Sequence, residues 1–190
     1  MAELVDALVS NTSAFTGMPV RARLRVQQKS PSSGFFTKFR IMKKPSFDEI
    51  YMELAEKLAL RSHCVKAQVG AVLTKDTRII SLGYNGPPAG THNCDQEWPE
   101  QGCPRDSKGS CSLALHAEQN AILYAAKNNF SIDGSTLYVT LSPCISCARV
   151  IFSVGIRKVF YKHSYAKFKG IPSDEGVDFL RKFGVEVIQH

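Results

Sequence analysis

The sequence contains no run of about 18 apolar residues, so no segment is predicted to span a membrane. Its opening residues, MAELVDALVS, lack the basic region and the sustained apolar stretch of a secretory signal. A length of 190 residues suits one domain with a sizeable core, and no internal repeat interrupts it. We therefore expect a globular cytoplasmic protein.

Most of the chain also lacks an excess of charge of one sign. Residues 1–45 carry eight Lys and Arg against two acidic residues, a net charge of +6. Residues 46–190 carry sixteen against fifteen, a net charge of +1. Proteins that bind a phosphate backbone need a basic surface, so the near-neutral part argues against nucleic acid as a partner.

The first 45 residues lack helical or alternating periodicity, and we expect a disordered basic extension there. The stretch AELVDALVSNTSAFTGMPVRARLRV is similar to a tRNA gene translated in frame, which places the native start near Met42. The alternative is a genuine basic arm. Glu3 and Asp6 argue against a transit peptide, since those contain few acidic residues.

From residue 46 onward, the pattern predicts one α/β domain with the order α-β-β-α-β-α-β-α-β. Ser46 and Glu49 form a capping box for a helix that runs to about Arg61. A long loop is expected over residues 85–115, and Ser142 with Pro143 is expected to begin the third helix. The other expected elements are a hairpin of strands 68–74 and 78–84, helices 116–128 and 174–183, and strands 136–141, 158–161 and 185–188.

The spacing of two of the six cysteines indicates a metal site. An even count could form disulfides, but without an export signal the C-x-x-C of Cys144 and Cys147 indicates metal or redox chemistry. One helical turn apart, the two sulfur atoms share a face, and His116 can add a third ligand. Three protein ligands leave a tetrahedral zinc one position for water, which is typical of a catalytic site.

Glu118 lies two residues beyond His116, so it points away from the metal ligand and toward the water position. A carboxylate there can take a proton from water and return it elsewhere. Taken singly, a C-x-x-C is as often structural or redox-active, a His at a helix start is usually a cap, and a Glu in a first turn usually favours the helix dipole. The joint pattern favours catalysis.

His116-Ala-Glu118 followed by Pro143-Cys144-x-x-Cys147 is the signature of zinc nucleobase deaminases. Over residues 46–190 the chain resembles the cytidine and deoxycytidylate deaminase superfamily. The resemblance is strongest to deoxycytidylate deaminases, including those of large bacteriophages, on the segments HAEQNAI, TLYVTLSPCISCA, QVGAVL and GYNGPPAG. It implies a three-layer α-β-α fold, with a central five-stranded mixed sheet and helices on both faces.

The resemblance also implies a reaction: hydrolytic deamination of dCMP to dUMP, which supplies dTMP synthesis. In the family, zinc activates the water that attacks C4, and the carboxylate corresponding to Glu118 carries its proton to ring N3 and to the leaving amino group. The implied zinc ligands are His116, Cys144 and Cys147.

The same resemblance implies four substrate contacts. Backbone groups of Ala117 and Ser142 lie at the pyrimidine, Asn85 holds a sugar hydroxyl, and Tyr165 lies near the phosphate. Taken alone, Asn85-Gly86 is also a common turn pair. Lys167 and Lys169 are nearby cations that either help bind phosphate or belong to a solvated basic loop.

Four more cysteines fall at positions 64, 94, 103 and 111. Cys64 and Cys94 match positions that carry a structural zinc in phage-type relatives, and Cys103 with Cys111 completes a set of four ligands. Such an ion would order the long loop, since its binding free energy becomes folding free energy. His92 and His63 are alternative ligands, and four inert thiols are the alternative to a metal.

Regulation is implied by the resemblance as well. The allosteric residues would be Gly83, Tyr84, Asn85 and Gly86, with Mg²⁺-bound dCTP as activator and dTTP as inhibitor of a homohexamer. Two alternatives stay open. One is a deaminase of a base in tRNA or single-stranded DNA, which needs a basic groove and stacking aromatics. The other is a non-catalytic zinc-stapled binding module, for which Glu118 has no use.

Overall fold

The computed structural model describes residues 44–100, 102–107 and 109–190, so residues 1–43 of the expected extension lie outside the described part. The elements are α1 Phe47–Ala59, β1 Gly70–Lys75, β2 Arg78–Tyr84, α2 Cys94–Glu97, α3 Ala117–Lys127, β3 Thr136–Leu141, α4 Ile145–Ser153, β4 Lys158–His163, α5 Tyr165–Lys169, α6 Glu175–Lys182 and β5 Glu186–Gln189. The five strands form one mixed sheet in the order β2-β1-β3-β4-β5.

The sheet combines an antiparallel half with a parallel half. β1 is antiparallel to β2 and β3, whereas β3, β4 and β5 run parallel, joined by crossovers through α4 and α6. The β1–β2 turn has Asp76 and Thr77 at positive φ, 49° and 60°, as a tight two-residue hairpin turn requires. The capping box of Ser46 and Glu49 is present at α1, as predicted.

Helices cover both faces of the sheet, which confirms the predicted three-layer arrangement. Met52 and Ala55 of α1 pack on one face against Val72, Tyr138 and Phe160. On the other face α3, α4 and α6 cover the alternate strand residues, including the fully buried Leu73, Leu137, Val139 and Val159. Each such side chain contributes about 1.5–3 kcal/mol when it leaves water.

A close approach between β2 and α3 places the first turn of α3. A Cβ atom on Gly83 would lie 2.2 Å from the Ala117 carbonyl oxygen and 2.7 Å from the Ala121 nitrogen. Only glycine therefore lets the strand and the helix meet at this distance. The consequence is that His116, just before α3, sits at a set height above the sheet.

Two details differ from the sequence-based expectations. The loop of residues 85–115 contains the short helix α2, and a short helix α5 follows β4; both are too short to show periodicity. The loop is closed at its base, where Gly86 and Leu115 exchange backbone hydrogen bonds of 3.1 and 2.9 Å. No described helix has the length and apolar character needed to cross a membrane.

Candidate active site

His116 is the N-cap of α3, in extended conformation with φ −73° and ψ 157°. Its backbone N–H donates to Gln119 Oε1 at 3.0 Å, which fixes the entry of the chain into the helix. The backbone N–H of Ala117, at the first helical position, is one of the four without an intrahelical partner. The hydrogen bond to Gln119 thus fixes the backbone that carries the His116 side chain at the helix start.

Cys144 is the N-cap of α4, and the predicted cap at Ser142 with Pro143 in the first helical position is wrong. Cys144 is extended, with ψ 166°, and its carbonyl accepts the first helical hydrogen bond, from the Ala148 N–H at 2.9 Å, so the helix begins at Ile145. The correction matters for the site, because two of the three predicted zinc ligands now occupy N-cap positions.

The three predicted ligands of the catalytic zinc come together. His116 Nδ1 lies 3.3 Å from Cys147 Sγ and 3.5 Å from Cys144 Sγ, and the three ligand atoms lie within 4.8 Å of one another. Ligand atoms about 2.0–2.3 Å from one tetrahedral zinc are roughly 3.5 Å apart, so the donor set fits this metal in both chemistry and spacing.

The two thiols have opposite proton affinities. A hydrogen bond from the Cys147 thiol lowers the pKa of Cys144 to about 4, against the effect of burial and with help from His116. The hydrogen bond to Cys144 together with burial raises the pKa of Cys147, and the pKa of His116 is raised first by its hydrogen bond with Cys144. One thiolate is therefore favoured even before a cation binds, which prepares the site for a metal.

Glu118 lies beside the three ligands and is almost fully buried, with 4% of its surface exposed. Burial raises its pKa, the charge of His116 opposes this, and its carboxyl group is hydrogen-bonded with Cys147. A buried carboxyl of raised pKa next to a metal site can accept and return protons near neutral pH.

These residues open into a cavity of about 280 Å³ that His116, Ala117, Glu118, Cys144 and Tyr165 help to line. A larger cavity of about 580 Å³ lies next to it, lined in part by Glu56, Lys162 and Lys167. We place the site in the smaller cavity, hereafter the active-site pocket, because His116, Glu118 and Cys144 line it, and Cys147 lies beside them.

Asn85 lines the active-site pocket and is buried, with 8% exposed. Its side-chain amide also holds the preceding segment: Nδ2 donates to the Ala67 carbonyl and Oδ1 accepts from the Val69 N–H, both at 2.8 Å. An Asn amide has two N–H donors, so one remains for a ligand. The Asn85 side chain therefore holds the backbone of residues 67–69 in place and keeps one donor free for a ligand.

Ser142 and Tyr165 both line the active-site pocket, and the Tyr165 N–H donates to Ser142 Oγ at 2.7 Å. Burial, followed by Cys144, Cys147 and Glu118, raises the pKa of Tyr165, so its phenol stays protonated and can donate. Lys169 lines the same pocket, with its Nζ 5.8 Å from the Tyr165 ring centroid, whereas Lys167 faces the larger cavity. Helical spacing carries this signal, since residues four apart share a face and residues two apart do not.

The second set of cysteines is gathered more loosely. Cys94, at the start of α2, has its pKa raised to about 11 by burial and by the neighbouring thiols of Cys111, Cys103 and Cys64. His63 pairs instead with Asp95 at 2.9 Å, and His92 is exposed. In the described part of the chain, only the triad of His116, Cys144 and Cys147 has its ligand atoms within metal-binding distance of one another.

Cys64, between α1 and β1, and Cys111, in the loop of residues 85–115, also line the active-site pocket, so the second cysteine set contributes one wall of it. Sequence reasoning did not anticipate this wall. The four residues predicted to bind an allosteric nucleotide lie at the end of β2, where Gly83, Asn85 and Gly86 are buried and Tyr84 is 37% exposed.

Comparison with known proteins identifies relatives of this arrangement. Residues 45–163 match the family described as the cytidine and deoxycytidylate deaminase zinc-binding region. A deoxycytidylate deaminase of Enterobacteria phage T4 is 38% identical, over 72% of this chain and 86% of the phage enzyme. The deoxycytidylate deaminase of Schizosaccharomyces pombe is 42% identical, over 64% of this chain and 38% of the yeast enzyme, so the chain spans well under half of that relative.

A solved structure gives the same picture. The dCMP deaminase of cyanophage S-TIM5, in complex with dCMP and dUMP, superposes with a TM-score of 0.64 and is 38% identical, over 78% of this chain and 100% of that one. Its apo form gives a TM-score of 0.62 at 36% identity. The predicted five-stranded fold is therefore confirmed by relatives as well as by the sheet itself.

Proposed function

The chain belongs to the cytidine and deoxycytidylate deaminase family, and we propose on that premise that it hydrolyses dCMP to dUMP and ammonia. The observation that carries the proposal is the convergence of His116, Cys144 and Cys147 with the buried Glu118 in one pocket. A purely structural zinc site has no use for Glu118, so the arrangement favours catalysis over a binding module. We infer the identity of the substrate, dCMP, from the phage relatives that are named deoxycytidylate or dCMP deaminases.

The ligands define the role of the metal. His116 Nδ1 and the thiolates of Cys144 and Cys147 would hold zinc, and three protein ligands would leave its fourth position for water. When bound, zinc supplies a Lewis acid that brings the pKa of a coordinated water close to neutrality.

Glu118 then moves the protons. Its carboxylate accepts a proton from the attacking water and delivers it to ring N3 of cytosine, while the water oxygen bonds to C4. The proton of the new C4 hydroxyl group then passes through Glu118 to the amino group, the C4–N4 bond breaks as the C4=O bond forms, and ammonia leaves. Burial raises the pKa of Glu118, which favours its taking a proton from water.

The remaining pocket residues orient the nucleotide. We assign the pyrimidine to backbone groups of Ala117 and Ser142, the sugar hydroxyl to the second N–H of Asn85, and the phosphate to the Tyr165 hydroxyl. Lys169, which lines the same pocket, adds positive charge near Tyr165. A pocket of about 280 Å³ suits a mononucleotide better than a polymer.

A second, structural zinc is proposed for Cys64, Cys94, Cys103 and Cys111. The thiols of Cys64, Cys103 and Cys111 all lie close enough to Cys94 to raise its pKa, which supports these four cysteines as the ligand set. His63 is less suited as a ligand, because it is paired with Asp95. Raised pKa values at Cys94 and Cys103 give binding a pH dependence, because both thiols must lose protons to bind.

Regulation by Mg²⁺-bound dCTP and by dTTP, in a homohexamer, is also proposed. Asn85 lines the active-site pocket, and Gly86 pairs with Leu115 to close the loop of residues 85–115, hereafter the cysteine loop. A ligand at the end of β2 would therefore contact both the pocket and this loop. Exposed apolar side chains on α3 and β2, Leu123, Tyr124 and Leu82, support association between copies of the chain.

An ammonia-release assay tests the function directly. We expect rapid release from dCMP and little or none from dCTP, cytidine or a cytosine-containing oligonucleotide. Efficient turnover of the oligonucleotide with none of dCMP would overturn the substrate assignment. No turnover of any of the four, by protein that contains zinc, would favour a binding module.

A further inference from the structure

We infer that Asp174 is a positioning residue for substrate binding, one that acts through Ser142 and Tyr165. The inference rests on the proposed function. Asp174 occupies the N-cap of α6 but makes no side-chain cap hydrogen bond to that helix. Its carboxylate is used elsewhere, and the contacts it makes lead to the active-site pocket.

Three donors converge on this carboxylate. Oδ1 accepts from Ser142 Oγ at 3.0 Å and from the Ala166 N–H at 2.6 Å, and Oδ2 accepts from Ser164 Oγ at 2.6 Å. Burial alone would raise the pKa of Asp174, but these hydrogen bonds outweigh it and lower the pKa. A charged acceptor with three donors is a strong clamp between the end of β3, the start of α5 and the start of α6.

The clamp reaches the pocket by one further hydrogen bond. Ser142 Oγ donates to Asp174 and accepts from the Tyr165 N–H at 2.7 Å. Ser164, the N-cap of α5, accepts from the Lys167 N–H, so it sets the start of the helix that carries Tyr165. Asp174 thus orders Ser142 and Tyr165, which both line the pocket. Among the described residues, Asp174 itself is not one of those that line it.

A second contact locks the same helix start to the metal ligands. A Cβ on Gly176 would lie 2.0 Å from the Pro143 carbonyl oxygen and 2.8 Å from the Cys144 carbonyl carbon. The first turn of α6 is therefore pressed against the backbone that presents Cys144. Asp174 and Gly176 together tie the phosphate side of the pocket and the metal side to one rigid element.

The test is a double-mutant cycle of Asp174→Ala and Tyr165→Phe, with initial rates on dCMP. We expect Asp174→Ala to raise KM about tenfold and to change kcat far less, a size typical of residues within one hydrogen-bonded network. In the Tyr165→Phe background, the same change should alter KM less than about twofold, since the hydroxyl it positions is gone. Asp178→Ala, which removes an exposed acid from the same first turn, is the matched control and should leave KM unchanged.

Asp174→Asn keeps the shape but loses the charge and one acceptor oxygen, so it should raise KM less than alanine does, by about threefold. If the alanine variant does not fold, an unchanged KM in Asp174→Asn overturns the inference. Zinc content and the thermal midpoint are measured for each variant. Additive effects on KM in the cycle, or a KM unchanged in both Asp174 variants, would overturn the inference and leave the proposed function intact. Absence of dCMP turnover by the unmodified chain would overturn the proposed function, and this inference with it.

Discussion

The two groups of cysteines in this molecule are held in opposite ways. Cys144 and Cys147 belong to the first turn of a helix that packs on the sheet, and Cys147 and Ala148 are fully buried. Cys94, Cys103 and Cys111 lie in a loop whose described residues form one four-residue helix and two isolated bridges. The core thus positions the first group, whereas the second is held within an irregular loop by bonds such as that from the Ser112 N–H to the Pro104 carbonyl.

This difference separates two uses of a metal. Where the core already places the ligands, the metal adds chemistry and little folding free energy. Where the chain is irregular, the free energy of metal binding becomes free energy of folding. Because Cys64 and Cys111 also line the active-site pocket, loss of order in the loop should reach activity as well.

Glu118→Gln, beside the ligand triad of His116, Cys144 and Cys147, should cause the largest loss of activity. The amide has nearly the same shape but cannot carry a proton, so kcat for dCMP should fall by about 10²–10⁴-fold or more, since the group acts twice. Zinc content and the thermal midpoint should stay near those of the unmodified chain. Glu175→Gln, an exposed Glu in the first turn of α6, is the control. Near-normal turnover by Glu118→Gln would contradict the mechanism.

The same substitution in the two groups tests the comparison itself. Cys144→Ser should abolish activity and change the thermal midpoint little. Cys94→Ser should lower the midpoint by about 10 °C or more, because each kcal/mol lost shifts it by about 2–4 °C in a domain of this size. Elemental analysis should give two zinc ions in the unmodified chain and one in each variant.

Each variant is thus the control for the other. A single zinc ion per chain in well-folded unmodified protein would contradict the proposed structural zinc site. Equal losses of stability in the two variants would show instead that both sites contribute to folding.

Effector nucleotides test whether the two regions communicate. The end of β2 joins them, since Asn85 lines the active-site pocket and Gly86 closes the cysteine loop. We expect sigmoidal dCMP kinetics that Mg²⁺-bound dCTP makes hyperbolic and dTTP suppresses, with apparent affinity changed about 5–150-fold. Hyperbolic kinetics that respond to neither nucleotide would leave the deaminase in place and end the regulatory proposal.

Removal of the N-terminal segment should have the smallest effect. The segment carries nearly all the net charge, while residues 46–190 hold every cysteine and every site residue proposed above. A chain that begins at Met42 should keep kcat/KM for dCMP within about twofold, with the same zinc content and oligomeric state. A large loss of activity would show that a third region contributes to the site.

The convergence of four residues in the candidate site was predictable from sequence because its signals are local. His116, Glu118, Cys144 and Cys147 each have a set spacing at a helix start that follows a loop or a strand, and the structure brings them together. The capping box of α1 and strands β2 and β3 were predictable for the same reason. Even the wrong cap at Ser142 was off by only two residues.

What could not be predicted depends on contacts between distant residues. An acid before α6 has the sequence pattern of an ordinary cap, and only the fold shows that Asp174 serves Ser142, 32 residues earlier. The clamp of Asn85 on residues 67–69 and the cysteine wall of the pocket are of the same kind. Helical spacing within α5, by contrast, could have separated Lys169 from Lys167.

The paired backbone bonds of Gly86 and Leu115 hold the two ends of the intervening stretch side by side. Because His116 follows at once, residues can be inserted or deleted away from the cysteines and the pocket-lining residues without displacing His116. Doubling the length of a flexible loop costs only about 0.6 kcal/mol of closure entropy. Those parts of the stretch are accordingly the natural place for divergence in length.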